Sequence, residues 1–160
     1  MSSSPRPKQK FKVLTDIYSL LSAKFRSLGI PKLVAIADSW EKALSQMQQL
    51  RTTKAQVKTS TLVAGLEQGL RETPLVLSCL SEAERHLALK TFRNVVSLHS
   101  PSFFVKEREK VAQIVARGKI KNETEWHLIR HRVDEIENEV PQPTELLQLY
   151  TLLDAYESSA

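Results

Sequence analysis

The chain has 160 residues, of which 41% are hydrophobic, and a net charge of +5. That is the size of one domain or of a domain with an appended hairpin, and the apolar fraction suffices for a core. No apolar run approaches the roughly 18 residues of a membrane span, the N-terminus MSSSPRPKQK has no apolar segment of a secretory signal, and the single cysteine, Cys79, excludes an internal disulfide and any cysteine-based zinc site within one chain. The expectation is a reduced, cytoplasmic protein.

With only 4 glycines, turn chemistry is scarce, and the abundant Leu, Ala, Glu, Lys, Arg and Gln favour helix. The charge is uneven. Residues 1–32 carry +6, 33–105 carry +2, 106–121 carry +4 and 122–160 carry −7. Such separation implies either attraction inside the fold or basic segments turned toward a polyanion.

Residues 1–10 hold Ser, Pro and Lys with nothing to bury and are expected to form a disordered basic tail. Phe11 to Leu28 is the first helix, with Phe11, Leu14, Ile17, Tyr18, Leu21, Phe25 and Leu28 on one side. Gly29 stops it and Pro31 starts the second helix at a position where a missing N–H costs nothing. Leu33, Ile36, Ala37, Trp40, Ala43, Leu44, Met47 and Leu50 form its stripe, so an antiparallel hairpin is expected. Arg51 to Thr61 is the weakest stretch, a loop or a frayed end. Leu62 to Arg71 is a short helix, in which Gly65 and Gly69 share a face that would admit a neighbouring backbone. Thr73-Pro74 is expected to end it, and Leu75 to Leu80 reads as a buried connection. Ser81 and Glu84 form a capping box for a helix running to about His99. After Ser100-Pro101, Phe103 to Arg117 is another helix, with Phe104, Val111, Ile114 and Val115 inward and Gly118 at its end.

Gly118 to Tyr156 is the most strongly patterned stretch. Trp126, Ile129, Val133, Ile136 and Val140 form one apolar stripe, with Asn122 and Glu125 repeating the capping-box logic at its start. Val140-Pro141-Gln142-Pro143 breaks the helix, and Leu146, Leu149, Tyr150, Leu153 and Tyr156 make a second stripe. The fold class expected is all-α, a helical bundle of six or seven helices ending in an antiparallel helical hairpin. Its parts are the tail 1–10, an N-terminal bundle 11–100 and a C-terminal hairpin module 101–160.

Candidate chemistry is sparse. His127 and His131 stand four apart on a helix, a spacing that can share a metal, but the wheel puts them away from the core and Leu128 replaces the glutamate of a zincin pattern. They are read as a solvated face. Cys79 lies among leucines and valine, where burial suppresses thiol reactivity. No phosphate-loop or nucleophile-elbow pattern occurs. The expectation is therefore no catalytic, cofactor-binding or metal-binding residue, no cofactor, no small-molecule substrate and no membrane partner. The basic segment 106–121 is densest at Arg117, Lys119 and Lys121, which are the candidate nucleic-acid contacts, together with the basic segment 1–12. Leu128, Leu147 and Leu152 exceed what one narrow stripe needs and are the candidate partner-binding residues.

Ile120, Glu123, Glu125, Trp126, Glu145, Leu146, Leu149, Leu152, Leu153, Tyr156 and Glu157 give residues 120–157 a pattern that resembles the helical hairpin preceding the helix-turn-helix of HigA-type antitoxins. The chain stops where the DNA-reading helices of that family begin, so the resemblance implies a hairpin that packs against a protein. Trp40, Ala43, Leu44, Gly65, Leu66 and Pro74 give residues 33–74 a fainter similarity to phage helicase loaders of the lambda P type, though the aromatic-Pro-Pro stretch is missing. These readings lead to a small non-enzymatic interaction or regulatory protein that binds a protein partner or a second copy. The alternative is a nucleic-acid-associated accessory protein.

Overall fold

The computed structural model of the chain describes residues 6–53, 57–137 and 139–159. Among them are seven α-helices and no strand, so the protein is all-α. The chain divides into two compact units, Met1–Ser100 and Pro101–Ala160. The first holds α1 (Pro7–Ser27), α2 (Pro31–Thr52), α3 (Thr59–Val76), a 3-10 turn (Leu77–Cys79) and α4 (Glu82–His99). The second holds α5 (Val105–Arg117), α6 (Glu123–Ile136) and α7 (Glu145–Ser158).

In the first unit α1 is the axis, and α2, α3 and α4 each pack on it. Phe11, Leu14, Ile17, Tyr18, Leu21, Ser22 and Phe25 are buried, a wider arc than one stripe. Each fully buried apolar side chain of this size contributes about 1.5–3 kcal/mol of transfer free energy. Gly29 follows α1 with φ of +71°, a left-handed conformation that glycine adopts without a Cβ penalty. Pro31 then opens α2. Arg26 closes this turn. Its Nε and Nη2 donate to the two oxygens of Glu41 at 3.1 and 2.7 Å, and Nη2 also reaches Asp38.

Helices α1 and α3 approach closely around Tyr18. The Tyr18 hydroxyl donates to the Leu66 carbonyl at 2.7 Å. A Cβ on Gly69 would stand 2.4 Å from that hydroxyl, whereas one on Gly65 would meet nothing within 4 Å. Of the two glycines that the sequence nominates, only Gly69 serves the approach. Burial, with the carboxylate of Glu72 adding to it, pushes the Tyr18 phenol well above its usual range.

Expectations for several stretches are corrected or made specific here. Residues 1–5 lie outside the described residues, but Pro7–Lys10 are the first turn of α1 rather than tail, because proline at the first helical position costs no hydrogen bond. Within the weak stretch Arg51–Thr61, α2 runs to Thr52 and α3 starts at Thr59, while 54–56 lie outside the described residues. Helix α3 runs through Pro74 to Val76, because a proline in the last turn removes one N–H and breaks nothing beyond it. The connection Leu75–Leu80 is not buried throughout: only Leu77 and Leu80 point inward, and Leu75 and Val76 are about half exposed on the outer side of the turn. Cys79 is exposed with them, its thiol donating to the Val76 carbonyl at 3.3 Å. The capping box at α4 forms as the spacing predicts, with the Glu84 N–H on Ser81 Oγ and the Ser81 N–H on Glu84 Oε1.

The second unit has its own core of Val111, Ile114, Ile120, Ile129, Val133, Ile136, Leu146, Leu149, Leu152 and Leu153. Gly118, at φ +77°, ends α5 in the left-handed conformation. The predicted stripe of α6 stops early. The helix ends at Ile136, so Val140 is 96% exposed instead of closing the stripe.

Gly65 and Gly69 provide a paired test. Gly65→Ala removes backbone freedom at an open helical position and should stabilise by about 0.5–1 kcal/mol. Gly69→Ala should destabilise by about 1–3 kcal/mol, because the new methyl must displace the Tyr18 hydroxyl from Leu66. Tyr18→Phe in the Gly69→Ala background should recover part of that loss. Urea melts of these variants, of Tyr18→Phe alone and of the unaltered protein check this, and additive effects of Tyr18→Phe and Gly69→Ala would contradict it.

Candidate interaction surfaces

The predicted nucleic-acid contacts Arg117, Lys119 and Lys121 lie around the turn between α5 and α6. They are not equivalent. Arg117 donates from Nε and Nη2 to the Lys119 carbonyl at 3.0 and 2.7 Å, and Nη2 also grips Glu125 Oε1. Lys119 and Lys121 present exposed side chains. Arg117 is thus engaged in holding its own turn, while the residue is exposed as Lys119 and Lys121 are.

Glu125 is the centre of that turn. Its N–H donates to Asn122 Oδ1 at 2.9 Å, which is half of the predicted capping box. The other half differs. The carboxylate accepts from the N–H of Lys121 at 2.8 Å instead of from Asn122, and Lys110 Nζ stands 4.0 Å away. Glu125 is only 4% exposed. Burial alone would push its carboxyl up. The Lys121 N–H, the Arg117 guanidinium and the Lys110 ammonium together outweigh burial and hold it below the usual carboxylate range.

Drawing Glu125 inward rolls α6. Trp126, expected in the core, is half-buried at its edge, and its indole N–H donates to Glu157 at 3.2 Å. The same roll brings Leu128 against the core, so Leu128 is not an exposed patch residue. His127 and His131 are half-buried rather than fully solvated. His127 sits 3.7 Å from Glu123, and the two imidazole rings are 6.0 Å apart. On α7, Leu146, Leu149, Leu152 and Leu153 are all buried. Leu152, at 7% exposure, is core and not a partner contact, because the α7 face that packs inward is wider than the stripe predicts. Leu147 alone of the three is outward, at 74% exposure.

Two surfaces of the first unit stand out in the structure, the second of them including part of the basic segment 1–12 that the sequence nominates. The first is the open edge of α2. Only Leu33 and Ala37 are buried on this helix. Val34, Ile36, Trp40, Ala43, Leu44 and Met47 are half-buried and Leu50 is exposed, although their spacing predicts a covered stripe. Among the described residues the main helix contact of α2 is α1, with Lys32 Nζ also donating to the Cys79 carbonyl at 2.9 Å near the start of α2. Trp40 leans on Tyr18 and Phe25, with ring centroids at 5.1 and 5.6 Å, and the row beyond it stays half-buried or exposed.

The second surface lies at the N-termini of α1 and α3. The two helices run in the same direction, Pro7 sharing a cleft with Ser60 and Tyr18 bonding Leu66 further along. An open cleft of about 650 Å³ between their first turns is lined by Arg6, Pro7, Lys8, Gln9, Thr59 and Ser60. Neither first turn holds an acidic residue. The sequence signal was present: residues 1–15 and 42–66 lack any Asp or Glu.

Glu125 makes the stability of the protein acid-sensitive in a definite sense. Its carboxyl titrates lower folded than unfolded, so its contribution is complete above the ordinary glutamate value, about 4.3, and is lost as pH falls through the lowered folded value. Glu125→Gln should cost about 1–3 kcal/mol at pH 7, and its deficit relative to the unaltered protein should shrink below about pH 4. Chemical melts across pH check this, and a deficit constant with pH would contradict it.

No protein-family model, no curated protein and no solved structure matches this chain.

Proposed function

We propose that the chain is a small non-enzymatic binding protein that engages another protein through the open edge of α2. One observation carries the reading: Trp40, Ala43, Leu44, Met47 and Leu50 continue at helical spacing along a helix whose main contact is α1, and they stay half-buried or exposed. A row of this kind suits a partner helix laid alongside it, with anchors one turn apart. Met47 adds an adaptable side chain and Trp40 a rigid one, both favoured at binding surfaces. The polar groups that stand out in the sequence support a non-catalytic reading, since they serve structure. Ser81 and Glu84 cap α4, and Arg117 and Glu125 tie a turn. The resemblance of residues 120–157 to an antitoxin hairpin agrees with a protein-binding role for the chain.

Met47→Glu tests it. The side chain is half-buried at the edge, so the variant should keep the circular dichroism spectrum of the unaltered protein. It should fail to retain the partner recovered from the native host, with affinity lower by at least about thirtyfold, the loss expected of a central contact worth about 2 kcal/mol. Gln49→Glu, on the exposed face of the same helix, should retain it. Light scattering across concentration identifies a second copy as the partner if mass rises and Met47→Glu abolishes the rise. Retention of the same partner by Met47→Glu would refute the reading.

A further inference from the structure

The cationic end of the first unit has no part in the α2 reading. Arg6, Lys8, Lys10 and Lys12 lie on the first turns of α1. Lys58 is the N-cap of α3. Arg51 belongs to the last turn of α2, and its guanidinium lies 4.4 Å over the Phe11 ring, which places the end of α2 beside the start of α1. The fold thus gathers at one end six cations from two sequence stretches, 1–15 and 42–66, that hold no Asp or Glu. Asp16 lies 3.1 Å from Lys12, and Glu67, which shares a cleft with Pro7 and Lys10, lies 3.3 Å from Arg71. Both are engaged with a cation and stand further along their helices.

The same end carries directional donors. Two helices that start side by side in the same direction add their dipoles, and the N–H groups of their first turns point outward. Thr59 and Ser60 add hydroxyls to the cleft, with Arg6 and Lys8 across from them. Cations, hydroxyls and helix N-termini are the groups that hold phosphate oxygens in nucleic-acid backbones.

We propose that this end of the first unit binds the sugar-phosphate backbone of duplex nucleic acid without reading its sequence. Three observations choose this polyanion. The cations are spread over three helix ends, which suits a line of phosphates better than one small anion. The aromatic side chain there, Phe11, is 2% exposed beneath Arg51, so it offers no platform for stacking unpaired bases. A membrane surface would call for apolar side chains among the cations to enter the lipid interface. Phe11 and Leu14 are buried, and the apolar side chains at the surface of this end, Val13, Leu50 and Val57, are no more than 39% exposed and come from three separate segments.

The test is fluorescence anisotropy of a labelled 20-base-pair DNA duplex of arbitrary sequence, titrated with the full chain at several salt concentrations. Affinity should fall steeply with salt and be indifferent to a change of sequence. Arg6→Ala with Lys8→Ala should lower the slope of log affinity against log salt by about 1.8, at about 0.9 per phosphate contact, and weaken binding on the order of fiftyfold at 0.1 M salt. Both side chains are exposed, so the melting temperature should hold. Lys119→Ala with Lys121→Ala should leave the titration unchanged. Absence of binding at low salt would overturn the proposal. So would an unchanged titration with the first pair, or loss of binding with the second pair instead. Tighter binding to phosphatidylserine vesicles than to duplex, lost with the same first pair, would replace it with a membrane surface. Preference for a single strand over the duplex would likewise overturn the duplex form.

Discussion

Burial of α1 is the constraint on which the first unit depends. Three helices pack on one, so α1 must be apolar over more than a stripe, and Phe11 through Phe25 meet that demand. The consequence falls on the neighbours. Helix α3 comes so close that position 69 has no room for a side chain beyond hydrogen while the Tyr18 hydroxyl stays on Leu66. Helix α2, by contrast, packs chiefly on α1 and keeps an open edge. A polar bond in the middle of this apolar contact also fixes the register of α1 against α3, because sliding either helix would leave the buried hydroxyl of Tyr18 without its acceptor.

The second unit solves a different problem. Its helices are short, and short helices depend on tertiary packing for their stability. Glu125 supplies an anchor at the start of α6 by accepting from a backbone N–H and a guanidinium inside a nearly dry turn. A buried charge of this kind is favourable only when every neighbour is supplied, since removing one partner leaves the other uncompensated. Along the hairpin Arg132 joins Glu135 to Glu145, and the Tyr150 hydroxyl donates to Glu137 at 3.2 Å. These links tie α7 to α6 and to the residue just past its end.

Much of this was legible in the sequence. Helix starts at Pro31, Ser81 and Asn122 and stops at Gly29 and Gly118 follow local rules of capping and glycine conformation, and each was found where those rules put it. What periodicity could not supply is the number of neighbours a helix receives. The stripe of α2 looks as core-like as that of α1, yet one is half open and the other enclosed. Periodicity also failed at Trp126, where an aromatic residue beside a glutamate invites the aromatic inward. The carboxylate went in instead, because two cations and an N–H from the preceding turn were waiting for it. That network joins residues of α5, the turn and α6, so no helical wheel of α6 alone contains it. Leu128 and Leu152 were misplaced for the same reason, each reading having assumed a roll of its helix that the neighbours altered.

The uneven charge of the chain divides along the same lines. In the second unit the acidic residues of α6 and α7 are largely matched inside that unit, Glu125 by Arg117 and Lys110, Asp134 by Arg130, Glu135 and Glu145 by Arg132. Their excess therefore produces local order more than a broad negative field, since close opposite charges cancel at a distance. The first unit does the reverse. Its carboxylates Asp38 and Glu41 converge on Arg26 beside the turn from α1 to α2, while the opposite ends of those helices carry cations from two acid-free stretches. Matched charge is what a fold uses to hold a turn. Unmatched charge of one sign repels itself and costs stability, an expense that folding alone does not require. At the end that gathers the cations of α1, α2 and α3, Asp16 matches Lys12, and two helix N-termini of the same polarity add to the positive charge that remains.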